Sequence, residues 1–488
     1  MEFNIKKVGI IKDSSVKLDG LTIITGANNS GKSTVGKALY ATLESFNNMD
    51  VKKEGQIFSI FIRMYFSIQN ILSLSDIARY IDFAKVEPKY VDLMLDLSSG
   101  YGFMRKSYRQ EKNIEQQFAL LYEFLFFISE RYLRDIAIEE KADRSRKFKN
   151  YILNFNTTIE KARKIASEGK EIFNDSENIK ISKIFVTDLL KKEFRGQVFP
   201  INDSSEEKNS KFLMTQNGEK VFEFIYNDER GVVSQGKIFK KLLFENVFLI
   251  DDAYVLDKII DYSSRQSYLP YRKNEFDYSH NIHLLESLTG SNNASALEEF
   301  LNNQNYFEAI KEIDSILPGE LEEKDGIYYY KFKQTNKLLR VENLATGAKL
   351  FAIIKALLKK GKINYNTMLI LDEPEAHLHP EWQNIMAQII VMLVERLDIN
   401  VLLTTHSINF VLALETFMHK YKIEGKTNFY RTVYDNETNQ VEYKLSNDEI
   451  NRVYEDLSIP YDLMLLRKSD IDVNWEGNYV QHDKRIFR

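Results

Sequence analysis

Two stretches of the chain carry residue types able to handle a phosphate. Gly26-Ala27-Asn28-Asn29-Ser30-Gly31-Lys32-Ser33 follows G-x-x-x-x-G-K-[ST] in full. Glycines let a backbone wrap around phosphate oxygens, and a helix starting at the end of such a loop offers unpaired N–H groups to the anion. Lys32 at that place would reach the β- and γ-phosphates of a nucleotide, and the Ser33 hydroxyl would hold Mg²⁺. Met368-Leu369-Ile370-Leu371-Asp372-Glu373 is four apolar residues followed by two acids. A buried strand of that kind projects its acids from its carboxyl end, where open α/β sheets bind ligands. Asp372 then suits the coordination sphere of Mg²⁺, and Glu373 suits polarising an attacking water. His406, after the apolar run Asn400–Thr404 and Thr405, would reach the γ-phosphate from the next strand. Leu344-Ala345-Thr346-Gly347-Ala348-Lys349 opens a helix with small residues, which is either an ordinary N-cap made by Thr346 or a second anion site. One chain needs only one phosphate cradle, so a second implies that two chains sandwich the nucleotide.

The elements that must position these residues are legible in the patterning. Residues 3–12 alternate like a strand, Leu21–Thr25 is a short apolar run, and Ser33 to about Phe46 places Val35, Ala38, Leu39 and Leu43 on one helical face. Gln197–Ile201, Lys211–Thr215, Val221–Tyr226, Val247–Ile250 and Ile327–Lys333 read as strands, with Asn217-Gly218 a hairpin turn. Gly347–Lys360 and Pro380–Leu397 read as helices around the buried strands Thr367–Leu371 and Asn400–Thr404, a β-α-β arrangement of the parallel-sheet type. Residues 255–313 read as helices and loops. Between about 50 and 195 the chain is poor in glycine and has one proline, Pro88. Its apolar residues fall at helical spacing, as in Phe118, Leu121, Leu125 and Ile128.

The totals narrow the classes. A chain of 488 residues with 44% hydrophobic content has the composition of a globular protein of several domains. A net charge of −5 argues against a general polyanion binder, although the basic run Lys141–Lys149 leaves local nucleic-acid contact open beside the plainer reading of a solvated helix face. With no cysteine, disulfides and thiolate metal sites are excluded, in keeping with a reducing cytoplasm. No secretory signal opens the chain, and Ile57–Leu74 and Phe118–Ile128 read as buried helices rather than membrane spans. His377-Leu378-His379 is not a metal pair in this setting, and His280 and His283 read as loop residues. Asp470-Ile471-Asp472 looks like the D-x-D of a Toprim nuclease, but the chain around it is too short for that domain.

The order of phosphate loop, L-A-T-G-A-K turn, L-I-L-D-E-P-E-A-H-L-H-P-E-W-Q and T-T-H-S resembles the ABC-type ATPases of the SMC, RecF and OLD kind. It is most similar to the AAA-annotated bacterial ATPases of anti-phage defence operons, such as the ATPase subunits of Septu-like and PARIS-like systems. The resemblance spans about residues 3–46 and 340–410 and extends loosely over 196–340. It implies an α/β P-loop ABC-type ATPase head with a mixed β-sheet lobe and a large, mostly helical insertion. The parts would be 1–50 with the phosphate loop, 51–195 the insertion, 196–340 the β-rich and helical continuation, and 341–488 the rest of the head. It implies ATP and Mg²⁺ as ligands. Asn28, Asn29, Ser30, Gly31, Lys32, Ser33 and Thr34 would surround the nucleotide, with Ser33 and Asp372 at the metal. Glu373, His406 and Lys32 would be catalytic, and Thr346 and Gly347 would touch the γ-phosphate bound by the other subunit. Glu375 to His379 matches the segment that crosses the dimer interface. The implied assembly is a cytoplasmic homodimer, or an oligomer built from dimers, that gates a separately encoded effector, a nuclease, with no membrane partner. Two features depart from the pattern. Ala345 stands where the turn usually has serine, and no glutamine is assigned to link γ-phosphate and insertion, Gln197 being the nearest candidate. The rival readings are a RecF/SMC-like DNA-repair or DNA-clamping ATPase, the nucleotide-binding subunit of a transporter, and a non-catalytic ATP-gated scaffold.

Overall fold

The computed structural model describes residues 1–47, 49–73, 119, 121–127, 146–174, 179–203, 205–236, 244–260, 262, 279–290, 303–325 and 327–469. The basic residues from Lys141 to Arg144 and the Asp470-Ile471-Asp472 triplet lie outside them. The chain divides into two compact units, one of Met1–Asn47, Lys183–Pro270 and Asp277–Arg488, the other within residues 48–182 and 271–276.

Along the chain the described elements are β1 (Glu2–Val8), β2 (Ile11–Lys17), β3 (Leu21–Thr25), α1 (Lys32–Phe46), α2 (Met49–Ser73), α3 (Arg146–Phe173) and α4 (Ile179–Glu193). Then come β4 (Asn209–Gln216), β5 (Glu219–Asn227), β6 (Gly231–Gln235), β7 (Asn246–Ile250), a 3-10 turn at Ala253–Lys258, α5 (His280–Thr289) and α6 (Gln304–Ile316). The rest is β8 (Gly319–Lys324), β9 (Ile327–Phe332), β10 (Leu338–Arg340), α7 (Thr346–Lys359), β11 (Thr367–Asp372), α8 (Pro380–Leu397), β12 (Asn400–Thr405), α9 (Ile408–Tyr421), β13 (Thr427–Asp435), β14 (Gln440–Leu445) and α10 (Ile450–Ser469).

Eleven strands form one mixed sheet in the order β6-β5-β4-β1-β2-β14-β13-β3-β12-β11-β7. From β13 to β7 every neighbouring pair is parallel, so β3, β12, β11 and β7 all end at one edge. From β6 to β2 every neighbouring pair is antiparallel, with tight turns joining β1 to β2, β4 to β5 and β5 to β6. Strand β14 bridges the halves, parallel to β2 and antiparallel to β13. The hairpin at Asn217-Gly218 has both residues left-handed, at φ 52° and 81°, the type I′ geometry that matches strand twist. Strands β8, β9 and β10 form a separate small sheet.

Successive residues of the parallel strands enter opposite cores. Ile23, Leu369, Leu371, Val401 and Leu403 join the core under α7, α8 and α9. Ile24, Met368, Ile370 and Leu402 join the core shared with α1 and the antiparallel lobe. Such strands read as continuous apolar runs because both faces are covered. In α1, Val35, Leu39 and Leu43 are buried, each contributing about 1.5–3 kcal/mol. That burial anchors the helix whose first turn faces the phosphate loop.

Residues 3–12, one strand by alternation, are two, since Gly9 at φ 59° closes a two-residue turn between Val8 and Ile11. Gln197–Ile201 is not a strand. The Asp228 carboxylate accepts the backbone N–H groups of Val198 (3.0 Å) and Phe199 (3.2 Å), satisfying them without a ladder. In the second unit the described segments are helical. There α2 lies beside α3, with Arg63 3.8 Å from Glu168, and the Lys170 ammonium 5.4 Å from the Tyr122 ring. Among the described residues no helix is long and apolar enough to cross a membrane.

Candidate functional site at the parallel-strand edge

The loop after β3 is shaped by two glycines with different reasons. Gly31 caps α1 at φ 79°, a left-handed conformation costly for other residues, and a Cβ there would stand 2.6 Å from Ile10 Cγ2. Gly26 has no room, since a Cβ would overlap the Thr432 hydroxyl of β13. Tyr443 of β14 donates its hydroxyl to the Gly31 carbonyl at 2.6 Å and braces the loop from behind. Burial pushes that phenol's pKa well up, so it remains a donor. No side chain caps α1, which leaves its first N–H groups for an anion. Lys32 is 4% exposed, and its side chain folds back over the loop, donating to the carbonyls of Gly26 (3.0 Å) and Ala27 (2.7 Å). Burial draws its pKa down against the opposing pull of Glu373 and Asp372. Ser30 Oγ is buried with no partner among the described residues, a hydroxyl left for a phosphate oxygen. Asn28 and Asn29 are exposed, while Ser33 and Thr34 are half-buried in the first turn.

Across the edge, β11 and β12 bring the acids and the histidine together. The Thr404 hydroxyl donates to Asp372 and also accepts the backbone N–H of Glu373 at 3.2 Å. Glu373 has φ 49°, a strained conformation for a non-glycine residue, held by that bond and by N–H donation to the Thr404 carbonyl at 3.1 Å. Its Oε1 lies 3.1 Å from His406 Nδ1 and 3.6 Å from the Lys32 ammonium. The hydrogen bond from His406 holds the Glu373 carboxyl below the usual range despite its burial, and the same bond raises the pKa of His406. The donor set suits magnesium: Ser33 and Asp372 offer hard oxygens beside a phosphate cradle, and Mg²⁺ takes few protein ligands when phosphates supply others. Among the described residues no group of three His, Cys, Asp or Glu converges as a dedicated metal cage.

A model of the family described as AAA ATPase domain matches residues 1–411. The chain belongs to that AAA ATPase domain family. Among curated proteins no relative matches. Solved structures that overlay on the chain include the SMC head domain from Thermotoga maritima, 9% identical over 91% of this chain and 97% of that one, with TM-score 0.34. Another is the Smc head domain with a coiled coil and joint from Pyrococcus yayanosii, 11% identical over 94% and 99%, with TM-score 0.32. Likenesses this loose carry no argument; the strand order and the family match carry the fold.

Within this AAA ATPase domain, Lys32, Asp372, Glu373 and His406 meet at one edge, while the Thr346–Gly347 turn packs elsewhere. Ala345, not Thr346, is the N-cap of α7 and supplies no capping side chain. The Thr346 hydroxyl goes instead to Tyr254 Oη at 2.9 Å, and a Cβ on Gly347 would overlap Leu378. In the segment from Glu375 to His379, Ala376, His377 and His379 are exposed, but Glu375 is 3% exposed and takes the Thr405 hydroxyl, so it faces inward. Burial raises its pKa, and its second oxygen has no partner among the described residues. His379 caps α8 through Nδ1 at 3.4 Å from the Glu381 N–H. Gln197 is exposed in the loop before β4. His280 and His283 are on α5, not in a loop. His280 is buried, 2.7 Å from Glu193 and 2.9 Å from Asp251, which follows β7. Tyr443, Thr432 and Thr404 escaped the reading from sequence. Only Thr404, the first threonine of T-T-H-S, offered a local signal, and it pointed to strand rather than site.

Proposed function

We propose that the protein binds ATP with Mg²⁺ at this edge and hydrolyses it. The observation that carries the reading is the single oxygen, Glu373 Oε1, shared between the Lys32 ammonium and the His406 ring at the end of parallel strands. Lys32 and His406 are two donors on that oxygen that a bound phosphate can draw away, and the uncapped start of α1 belongs to the same loop. On nucleotide binding Lys32 turns from the Gly26 and Ala27 carbonyls to the β- and γ-phosphates, with Ser30 and the backbone N–H groups around them. Magnesium, when bound by Ser33 and Asp372, supplies charge neutralisation at those phosphates. Glu373 orients the attacking water by accepting a hydrogen bond from it and takes its proton as the bond to phosphorus forms, while His406 steadies the γ-phosphate. Phosphate release measured under steady state tests this. Glu373→Gln lowers kcat by about 100-fold or more while ATP affinity is kept, and Lys32→Ala loses ATP affinity. Equal slow rates in wild type and Glu373→Gln would replace hydrolysis with an ATP-gated scaffold.

The working site takes two chains in this reading. The start of α7 has no side-chain cap. The N–H groups of Ala348 and Lys349 go to the Ala345 carbonyl, and those of Thr346 and Gly347 remain, among the described residues, for an anion that the same chain's phosphate loop does not need. Thr346 and Gly347 would meet the γ-phosphate held by Lys32 of a second copy, making a homodimer that closes on ATP. From the motif order alone we carry further the setting: a cytoplasmic ATPase whose closure gates a separately encoded effector, a nuclease, in anti-phage defence. Loss of plaque protection in the Lys32→Ala strain tests that setting, and DNA-stimulated phosphate release without protection would favour a RecF/SMC-like role.

A further inference from the structure

We infer that Tyr254 is a positioning residue that turns the Thr346 hydroxyl toward the terminal phosphate held by a second copy of this chain. The inference rests on the two-chain reading above and adds to it the group behind the turn.

With alanine at 345, Thr346 carries the one hydroxyl of Leu344-Ala345-Thr346-Gly347-Ala348. A hydroxyl donates one proton. As found, Thr346 Oγ1 donates to Tyr254 Oη at 2.9 Å, so it offers lone pairs to an incoming anion. Rotation of both hydroxyls reverses the pair without any proton transfer. Tyr254 then donates to Thr346, and Thr346 donates to the phosphate oxygen, each bond polarising the next. The tyrosine is held in place for this. The Asp252 carboxylate accepts its backbone N–H at 2.8 Å, and its ring lies 5.0 Å from the Lys349 ammonium. Lys349 is buried and fixed by Asp257 at 2.5 Å. Tyr254 itself is 47% exposed, at a surface a second chain can reach.

The test uses the full chain in a Glu373→Gln background, with ATP and magnesium, and reads dimer formation by sedimentation. Tyr254→Phe keeps the ring on Lys349 and removes only the hydroxyl. It is expected to weaken the ATP-dependent dimer about tenfold or more, from severalfold for the neutral hydroxyl–hydroxyl bond lost at each of two equivalent sites. ATP affinity of the separate chain and the melting temperature stay at parent values. Thr346→Val reproduces the loss, Thr346→Ser keeps the parent dimer, and Tyr254→Phe with Thr346→Val is no worse than Thr346→Val alone, as two groups in one relay require. A Tyr254→Phe dimer as tight as the parent overturns the inference. So does a variant that loses single-chain ATP affinity and melting temperature together, because Tyr254 would then only brace the fold. If the Glu373→Gln parent itself stays monomeric with ATP, the two-chain reading falls and this inference with it.

Discussion

Thr404 does two things with one hydroxyl, donating to Asp372 and receiving the N–H of the strained Glu373. Thr404→Val keeps the shape and removes both bonds. It is expected to cost about 1–2 kcal/mol of stability, and to lower kcat about tenfold or more with little change in ATP affinity, because Asp372 and Glu373 lose their orientation and not their charge. A matched fall in affinity, measured by nucleotide titration, would place Thr404 in binding. A second residue-scale prediction concerns His280. Burial by itself would lower its pKa, but the bonds to Asp251 and Glu193 win and push it up to about 9. The folded state thus holds a proton that the unfolded chain releases near pH 6.5. The stabilisation is complete below about pH 6.5, declines at up to about 1.4 kcal/mol per pH unit above it, and is lost as pH rises through about 9. Denaturant midpoints across that window show the decline in wild type and a flatter line in His280→Gln.

At the scale of elements, the phosphate loop is held by strands far from it in sequence. Gly26 abuts Thr432 of β13, and Tyr443 of β14 grips the Gly31 carbonyl. Gly26→Ala must therefore push β13 away or deform the loop. Nucleotide affinity is expected to vanish while the far-ultraviolet circular dichroism of the rest of the fold persists. Tyr443→Phe removes one bond from an intact loop. A stability loss of about 1 kcal/mol and a severalfold weaker ATP affinity are expected, and unchanged affinity would show that the loop is rigid without its brace. The same strands explain why α1 needs no cap of its own: its first turn is fixed by β3 on one side and by β14 through Gly31.

For the whole molecule, binding to the folded state alone raises its stability by mass action. ATP at about 100 times its Kd adds about 2.7 kcal/mol, so melting of the wild type shifts upward with ATP, and that of Lys32→Ala does not. A shift in wild type that survives in Lys32→Ala would move nucleotide binding away from this edge. The parallel half of the large sheet supplies the edge, and the antiparallel half gives α1 a second wall through the core that holds Phe3, Phe212 and Phe224.

The sequence by itself determined the local part of this protein. The phosphate loop, its flanking strand and helix, the acid-ended strand, Pro380–Leu397 and the Asn217-Gly218 turn are legible because each rests on short-range physics: glycine's freedom at positive φ, apolar runs in strands covered on both faces, and helical periodicity. The tertiary structure alone decided what lies across the sheet. It paired Tyr443 with Gly31 and Thr404 with Asp372, set Tyr254 on Thr346, and drew His280 from an expected loop into a buried ion triad. It also took Gln197–Ile201 out of the strands, because the side chain of Asp228 satisfies backbone groups that alternation assigns to a ladder. Those contacts join residues tens to hundreds of positions apart, and no local periodicity or propensity encodes them. Only the closing of the sheet brings them within hydrogen-bond reach.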